Sequence, residues 1–134
     1  MQPALIDTDI LSMFLRGNQP VTGHFYEYLK QHGKINISII TVYEILSGLK
    51  HRDAKKQLDS FVAFAKASNI LPLTDSSVAI SAEKYAMLRR QGRPLDDMDL
   101  LIAGVAIAND LALVTNNWNH FSRIEGIRLE DWTA

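Results

Sequence analysis

No cysteine occurs in the 134 residues, so the chain holds no disulfide, no thiol nucleophile and no thiolate zinc site. Charge of one sign is missing as well. Fourteen Lys and Arg stand against fifteen Asp and Glu, for a formal net charge of -1, which excludes both a strongly basic protein that coats nucleic acid by bulk attraction and a disordered acidic tail. Any contact with a polyanion must therefore be local. The nine residues from Leu100 to Ala108, all apolar or glycine, are too few to span a bilayer. The opening MQPALIDTD reaches an acid too soon for a signal peptide, and a soluble, cytoplasmic protein is expected. The four histidines, His24, His32, His51 and His120, are too scattered for a ligand motif and receive no role. Repeats, linkers and low-complexity tracts are absent. The chain length and 47% hydrophobic content suit one domain over residues 1–134 with a real core.

What is present centres on PLDDMDLLIAGVAIA, Pro94 to Ala108, where Asp96, Asp97 and Asp99 run directly into the apolar segment. A helix here has no wet face and reads as the central buried one, with Ala103, Gly104, Ala106 and Ala108 small enough for close packing. Capping and dipole compensation account for Asp96 and Asp97. Asp99 lies a turn further in, against a dry core that would normally exclude a carboxylate.

The periodicity predicts a strand at Ala4 to Ile6, helices over Thr8 to Arg16 and Val21 to His32, and a second strand in INISII. A helix over Thr41 to Leu49 follows, with Glu44 in its first turn, and then one over Ala54 to Ala67. ILPL is a third strand, Asp75 to Arg90 a long helix, ALVT a fourth strand, NNWNHF a loop or single turn, and Ile127 to Leu129 a small last strand. Strands alternating with helices indicate an α/β sandwich with a mainly parallel sheet. In such sheets the loops at the carboxyl ends of the strands form the ligand crevice. Asp7 leaves the first strand there, Glu44 opens the helix after the second, and Asn116 and Asn117 leave the fourth. Asp99 joins them because a helix feeding a parallel strand runs opposite to it.

Each acid has a structural explanation of its own: Asp7 as an N-cap, Thr41-x-x-Glu44 as a capping box, Asp99 as a dipole partner. Together, however, carboxylates 4 Å apart repel by about 4 kcal/mol per pair at an effective dielectric of 20. A divalent cation relieves that conflict, and all-oxygen ligation without cysteine or clustered histidine favours Mg²⁺ or Mn²⁺. Such a site suits phosphate chemistry. Two basic groups stand out, Lys50 to Lys56 and the trio Arg89, Arg90 and Arg93. The trio lies just ahead of Asp99 in the chain and is a candidate for holding RNA phosphates, although solvated helix ends explain each residue equally well. Trp118 and Phe121 are candidates for stacking on a base or closing a core, and Trp132 for closing a core.

In order and over nearly the whole chain, IDTDILSMFLRGN, ISIITVYEILSGL, PLDDMDLLIAGVAIAND and LALVTNNWNHFSRIEGIRLEDW resemble the VapC-type PIN-domain ribonuclease toxins of bacterial type II toxin-antitoxin modules. The resemblance implies a PIN-like three-layer α/β/α sandwich. It places the family's three acidic metal ligands on Asp7, Glu44 and Asp99, its fourth active-site position on Asn117, and a supporting hydroxyl on Thr115. Asp9 stands where relatives often have Asn, and Asp96 adds a carboxylate at the rim; both are candidates for an enlarged metal site. The implied activity is an endoribonuclease that uses Mg²⁺ or Mn²⁺ to direct water in line at an RNA phosphodiester, leaving 5′-phosphate and 3′-hydroxyl ends, with tRNA or ribosomal RNA as target. A VapB-like antitoxin that covers the crevice, a toxin homodimer and a hetero-oligomer with the antitoxin are also implied. Two other readings compete: a haloacid-dehalogenase-like phosphohydrolase, from Asp7-Thr8-Asp9 after a strand though with Leu11 out of pattern, and a non-catalytic module docking a partner through Phe14, Phe25 and Tyr28.

Overall fold

A computed structural model describes all 134 residues. Five short strands, β1 (Ala4–Ile6), β2 (Asn36–Ser38), β3 (Asn69–Leu71), β4 (Ala112–Val114) and β5 (Leu129–Glu130), form one sheet in the order β3-β2-β1-β4-β5, with every neighbouring pair parallel. Helices α1 (Thr8–Leu15), α2 (Gln19–His32), α3 (Ile39–His51), α4 (Lys55–Lys66), α5 (Asp75–Arg90), α6 (Asp97–Ala108) and the single turn α7 (Trp118–Phe121) complete it.

Alternation along the central strands divides the core in two. Ala4 and Ile6 of β1, with Ala112 and Val114 of β4, face a cluster built on Phe25, Tyr28, Ile45, Phe61 and Trp132; Leu5 and Leu113 face the opposite cluster of Leu88, Leu100, Ile102, Val105 and Phe121. Helices α1 to α4 thus cover one face and α5 and α6 the other, which is the three-layer α/β/α sandwich. Helix α6 is the central buried helix that the sequence implies, with Leu100 and Ile102 to Ala106 all buried, although Leu101, Ile107 and Ala108 remain half-buried and give it a narrow partly wet stripe. A Cβ on Gly104 would run into the Ser81 hydroxyl and the Ser77 carbonyl of α5, so this glycine sets how closely the two helices approach.

Several boundaries differ from the expected ones. The β-branched run INISII does not stay extended: β2 ends at Ser38, whose hydroxyl accepts a hydrogen bond from Thr41 N at 3.1 Å and caps α3. Ile39 and Ile40 are therefore helical, Glu44 falls in the second turn, and the Thr41-Glu44 capping box does not form. Pro72, which has no N–H to donate, lies beyond β3. The last strand sits slightly later than Ile127 to Leu129, and NNWNHF closes into the turn α7. Asp96 is the N-cap of α6 but makes no side-chain capping bond.

Candidate active site

At the carboxyl edge of the sheet lies a cleft of about 410 Å³ lined by Asp7, Thr8, Asp9, Glu44, Asp99, Asn116 and Asn117, none of them hydrophobic. Strands and helices deliver these residues as the parallel topology requires. Asp7 follows β1 and caps α1, Asn116 and Asn117 follow β4, and Asp99 is in the first turn of α6.

Asp7 is the most enclosed of the acids, only 5% exposed. One carboxylate oxygen accepts from Thr8 N at 2.8 Å and the other from the buried Thr115 hydroxyl at 2.8 Å. Burial, reinforced by the charges of Asp9 and then Asp99, raises its pKa from 3.8 to about 8 against the pull of those two bonds. Asp99 is raised as well, first by burial, with the charges of Asp96 and Asp9 adding and His120 opposing. Asp9 accepts from Ile10 N at 2.7 Å and from Asn116 N at 3.0 Å, which ties the first acidic loop to the end of β4. Glu44 is held by a ladder of hydroxyls. Thr8 Oγ1 donates to Glu44 Oε1 at 2.6 Å and lies 3.0 Å from Thr41 Oγ1, which in turn stands 3.3 Å from Ser38 Oγ.

Asn117 and Thr115 are joined by a 3.0 Å bond in which the Asn117 backbone N–H donates to the Thr115 hydroxyl. Two residues without an assigned role in the sequence belong to this edge. His120 Nδ1 lies 2.8 Å from Asn117 Nδ2 and 3.5 Å from Asp99 Oδ2; its only sequence signal is a place three residues after Asn117, which brings the two together once NNWNHF forms a helical turn. Thr8 reads in the sequence as the start of a helix, and its contact with Glu44 depends on α1 meeting α3. Other candidates lie elsewhere. Asp96 is exposed and outside the cleft lining, though its charge reaches Asp99. Arg89, Arg90 and Arg93 are exposed and do not line the cleft, and the Arg89 guanidinium sits 4.7 Å over the Tyr85 ring. Phe121 is buried in the core, as is Trp132, whereas Trp118 is 43% exposed with its indole N–H donating to Thr115 O at 2.9 Å.

The donor set suits a hard cation: four carboxylates, two amides and a hydroxyl, with no Lys or Arg in the lining. The side chains as placed do not draw three acidic or histidine groups around one point, because Glu44 turns to Thr8 and Asp9 to Asn116 N. The donor chemistry fits a divalent ion, and side-chain rotation would have to complete its shell.

Residues 4–127 match the PIN domain family. A tRNA(fMet)-specific endonuclease VapC of Shigella flexneri is 33% identical over 130 residues, 96% of this chain and 97% of that protein. Ribonuclease VapC2 of Rickettsia felis is 30% identical over 129 residues, 96% of each. Among solved structures, the crystal structure of DNA-bound VapBC from Salmonella typhimurium superposes with a TM-score of 0.88 at 28% identity, covering 98% of this chain and 99% of that one. The chain belongs to the PIN-domain family and, within it, to the VapC-type nucleases.

Proposed function

We propose that this protein is a Mg²⁺- or Mn²⁺-dependent endoribonuclease, the toxin of a type II toxin-antitoxin module, which cuts RNA to stop translation and is silenced by a VapB-like antitoxin. The observation that carries this reading is the all-polar cleft, which gathers Asp7, Asp9, Glu44 and Asp99 with no protein cation in its lining. Its VapC relatives are named as nucleases, one of them as specific for tRNA(fMet), and tRNA is the first substrate class to test. Asp7, Glu44 and Asp99 would hold the ion, with Asp9 in reach of the same cleft. A cation held there would polarise a phosphoryl oxygen and lower the pKa of an attacking water.

The chain's own residues prepare that chemistry. The Thr8 amide and the Thr115 hydroxyl fix both oxygens of Asp7, so its orientation needs no reorganisation when charge develops nearby. His120 Nδ1 sits within reach of both Asn117 and Asp99 on the far wall, and its tautomer decides which of the two it engages, accepting from the amide or donating to the carboxylate. Exposed Trp118, hinged on Thr115, offers a face on which a nucleobase can stack. The phosphohydrolase alternative is not retained: the chain belongs to the PIN family, and both Asp9 oxygens are engaged by backbone amides. In the antitoxin complex, an arginine or lysine inserted among the carboxylates would compete with the ion through charge-assisted hydrogen bonds. A cytoplasmic homodimer that becomes a hetero-oligomer with its antitoxin completes the proposal; no helix is long and apolar enough to cross a membrane.

The test is incubation of the purified chain with total cellular RNA in Mg²⁺ and in EDTA, followed by mapping of the cut sites. Cleavage in Mg²⁺ alone is expected. Glu44→Gln keeps the side-chain shape and a carbonyl acceptor for Thr8 but removes the charge. It is expected to lower cleavage by about 10²-fold or more with an unchanged circular dichroism spectrum. Normal cutting by that variant would remove Glu44 from the site.

A further inference from the structure

A second depression, about 500 Å³, opens from the acidic cleft and shares Thr8 and Glu44 with it. Its walls come from two helices whose lining residues follow the same order. On α1 the succession is Thr8, Ser12 and Arg16; on α3 it is Glu44, Gly48 and Arg52. Residues four apart lie on one helical stripe, so each series descends the wall a turn at a time and ends about 12 Å from where it began. The stripes are bolted together at the top by the 2.6 Å bond from Thr8 Oγ1 to Glu44 Oε1. Lys56, Gln57 and Ser60 of α4 close the foot of the groove.

Three features of this groove point to a ligand. Arg16, Arg52 and Lys56 are exposed and form no ion pair; the three pairs in the protein involve Lys30, His120 and Arg128. Gly48 stands inside α3, although glycine is the poorest helix former after proline. Its φ is not positive, and a Cβ there would meet nothing nearer than the Arg52 guanidinium at 3.6 Å. Neither backbone conformation nor close packing calls for glycine; what its missing side chain does is keep the groove floor open. Finally, α4 begins with Lys55 and Lys56, has no acid in its first turn and no side-chain cap, so two cations sit at the positive end of that helix, where acids are favoured.

From these observations we infer that the groove between α1 and α3 is the track for the RNA strand on one side of the scissile phosphate, with Arg16, Arg52 and Lys56 holding its phosphates and Gly48 leaving room for it. The inference rests on the nuclease reading above and deepens it. It also resolves how a chain of net charge -1 grips a polyanion: the cations are gathered next to the cleft, with Arg16 and Arg52 about two turns beyond Thr8 and Glu44. Ser12, Ser60 and Gln57 supply neutral hydrogen-bonding groups for sugar and phosphate along the way. The arginines also terminate α1 and α3 as C-caps, where a cation complements the dipole. That role would show in melting temperature and leave RNA handling untouched.

The experiment compares wild type, an Arg16→Ala/Arg52→Ala/Lys56→Ala variant and Gly48→Leu. Bulk tRNA is the probe, with filter binding and initial cleavage rates in Mg²⁺ across a KCl series. The triple variant is expected to lose two to three counterions' worth of salt dependence, a slope of log Kd against log salt shallower by about 2. Its KM should rise about tenfold or more at low salt while kcat changes little. Gly48→Leu, which adds bulk without changing charge, should raise KM and leave the salt slope alone. A wild type that cuts RNA, accompanied by variants with unchanged slope and KM, overturns the groove and spares the nuclease reading. A wild type that neither binds nor cuts tRNA or total RNA overturns both. Variants that handle RNA normally but no longer bind a VapB-type antitoxin would assign the groove to protein, which overturns the inference equally.

Discussion

At the scale of single residues, Asp7 is the group whose chemistry is most altered by its position. Its carboxyl is buried beside Asp9, and its pKa stands near 8 in place of 3.8. Between those two values the folded chain holds a proton that the unfolded chain has released, so stability falls as pH rises through this window and is greatest, for this group, at its acid end. Asp7→Asn removes the penalty while keeping an oxygen for the Thr8 amide and an amide that the Thr115 hydroxyl can accept. In EDTA at pH 7.5 the variant is expected to be more stable than wild type by about 2 kcal/mol, with a flatter profile from pH 4 to 8. Urea melts across that range check it; a variant less stable at pH 7.5 would mean that Asp7 acts mainly as a cap. The sequence makes Asp7, Glu44 and Asp99 legible as acids at one edge, since strand ends and helix starts follow from patterning alone. It does not disclose Thr8 beneath Glu44 or His120 beside Asp99, because those contacts join segments whose meeting depends on how helices pack.

Elements were readable to the extent that one periodicity ruled them. The long helix α5 spans Asp75–Arg90, the limits that the sequence predicts, and Thr74 caps its start. INISII is harder, since its isoleucines favour a strand while Ser38 offers a helix cap; the cap prevails and shortens β2. That outcome has a functional side. By capping α3 three residues early, Ser38 moves Glu44 out of the first turn and leaves its carboxylate to face Thr8 and the cleft, free of any duty to the helix end. Helix α6 owes its position to small residues, and Gly104 meets α5 where no Cβ fits beside Ser77 and Ser81. Gly104→Ala improves intrinsic helix propensity by about 1 kcal/mol, yet the clash with a backbone carbonyl forces the helices apart. A net loss of about 1–3 kcal/mol is expected, together with reduced cleavage, because Asp99 rides on the first turn of α6. Equal or higher stability in denaturant melts would mean that α5 moves away without penalty.

Over the whole molecule, a near-neutral formal charge hides a separation. Four carboxylates line one cleft with no basic side chain among them, and three unpaired cations line the groove that opens from it. The alternation of strands and helices foretells the three-layer architecture, but not this polarity, which arises only when α1 and α3 are laid side by side. Mutual repulsion in the cleft is a strain that a divalent ion would relieve, and that makes the ion's effect on stability depend on pH in a definite sense. At pH 8, Mg²⁺ at a hundred times its Kd should stabilise the wild type by about 2.7 kcal/mol through mass action. At pH 5.5, below the pKa of about 8 at Asp7, the ion must displace a proton from that carboxyl, so its affinity and the added stability both shrink. Asp7→Asn should lose most of the gain at either pH, since an amide oxygen brings no charge to the ion. Thermal melts in EDTA and in Mg²⁺ at the two pH values decide the matter: a wild type indifferent to Mg²⁺ at pH 8 would reject a shared cation site, and a gain of the same size at pH 5.5 would remove Asp7 from its ligands.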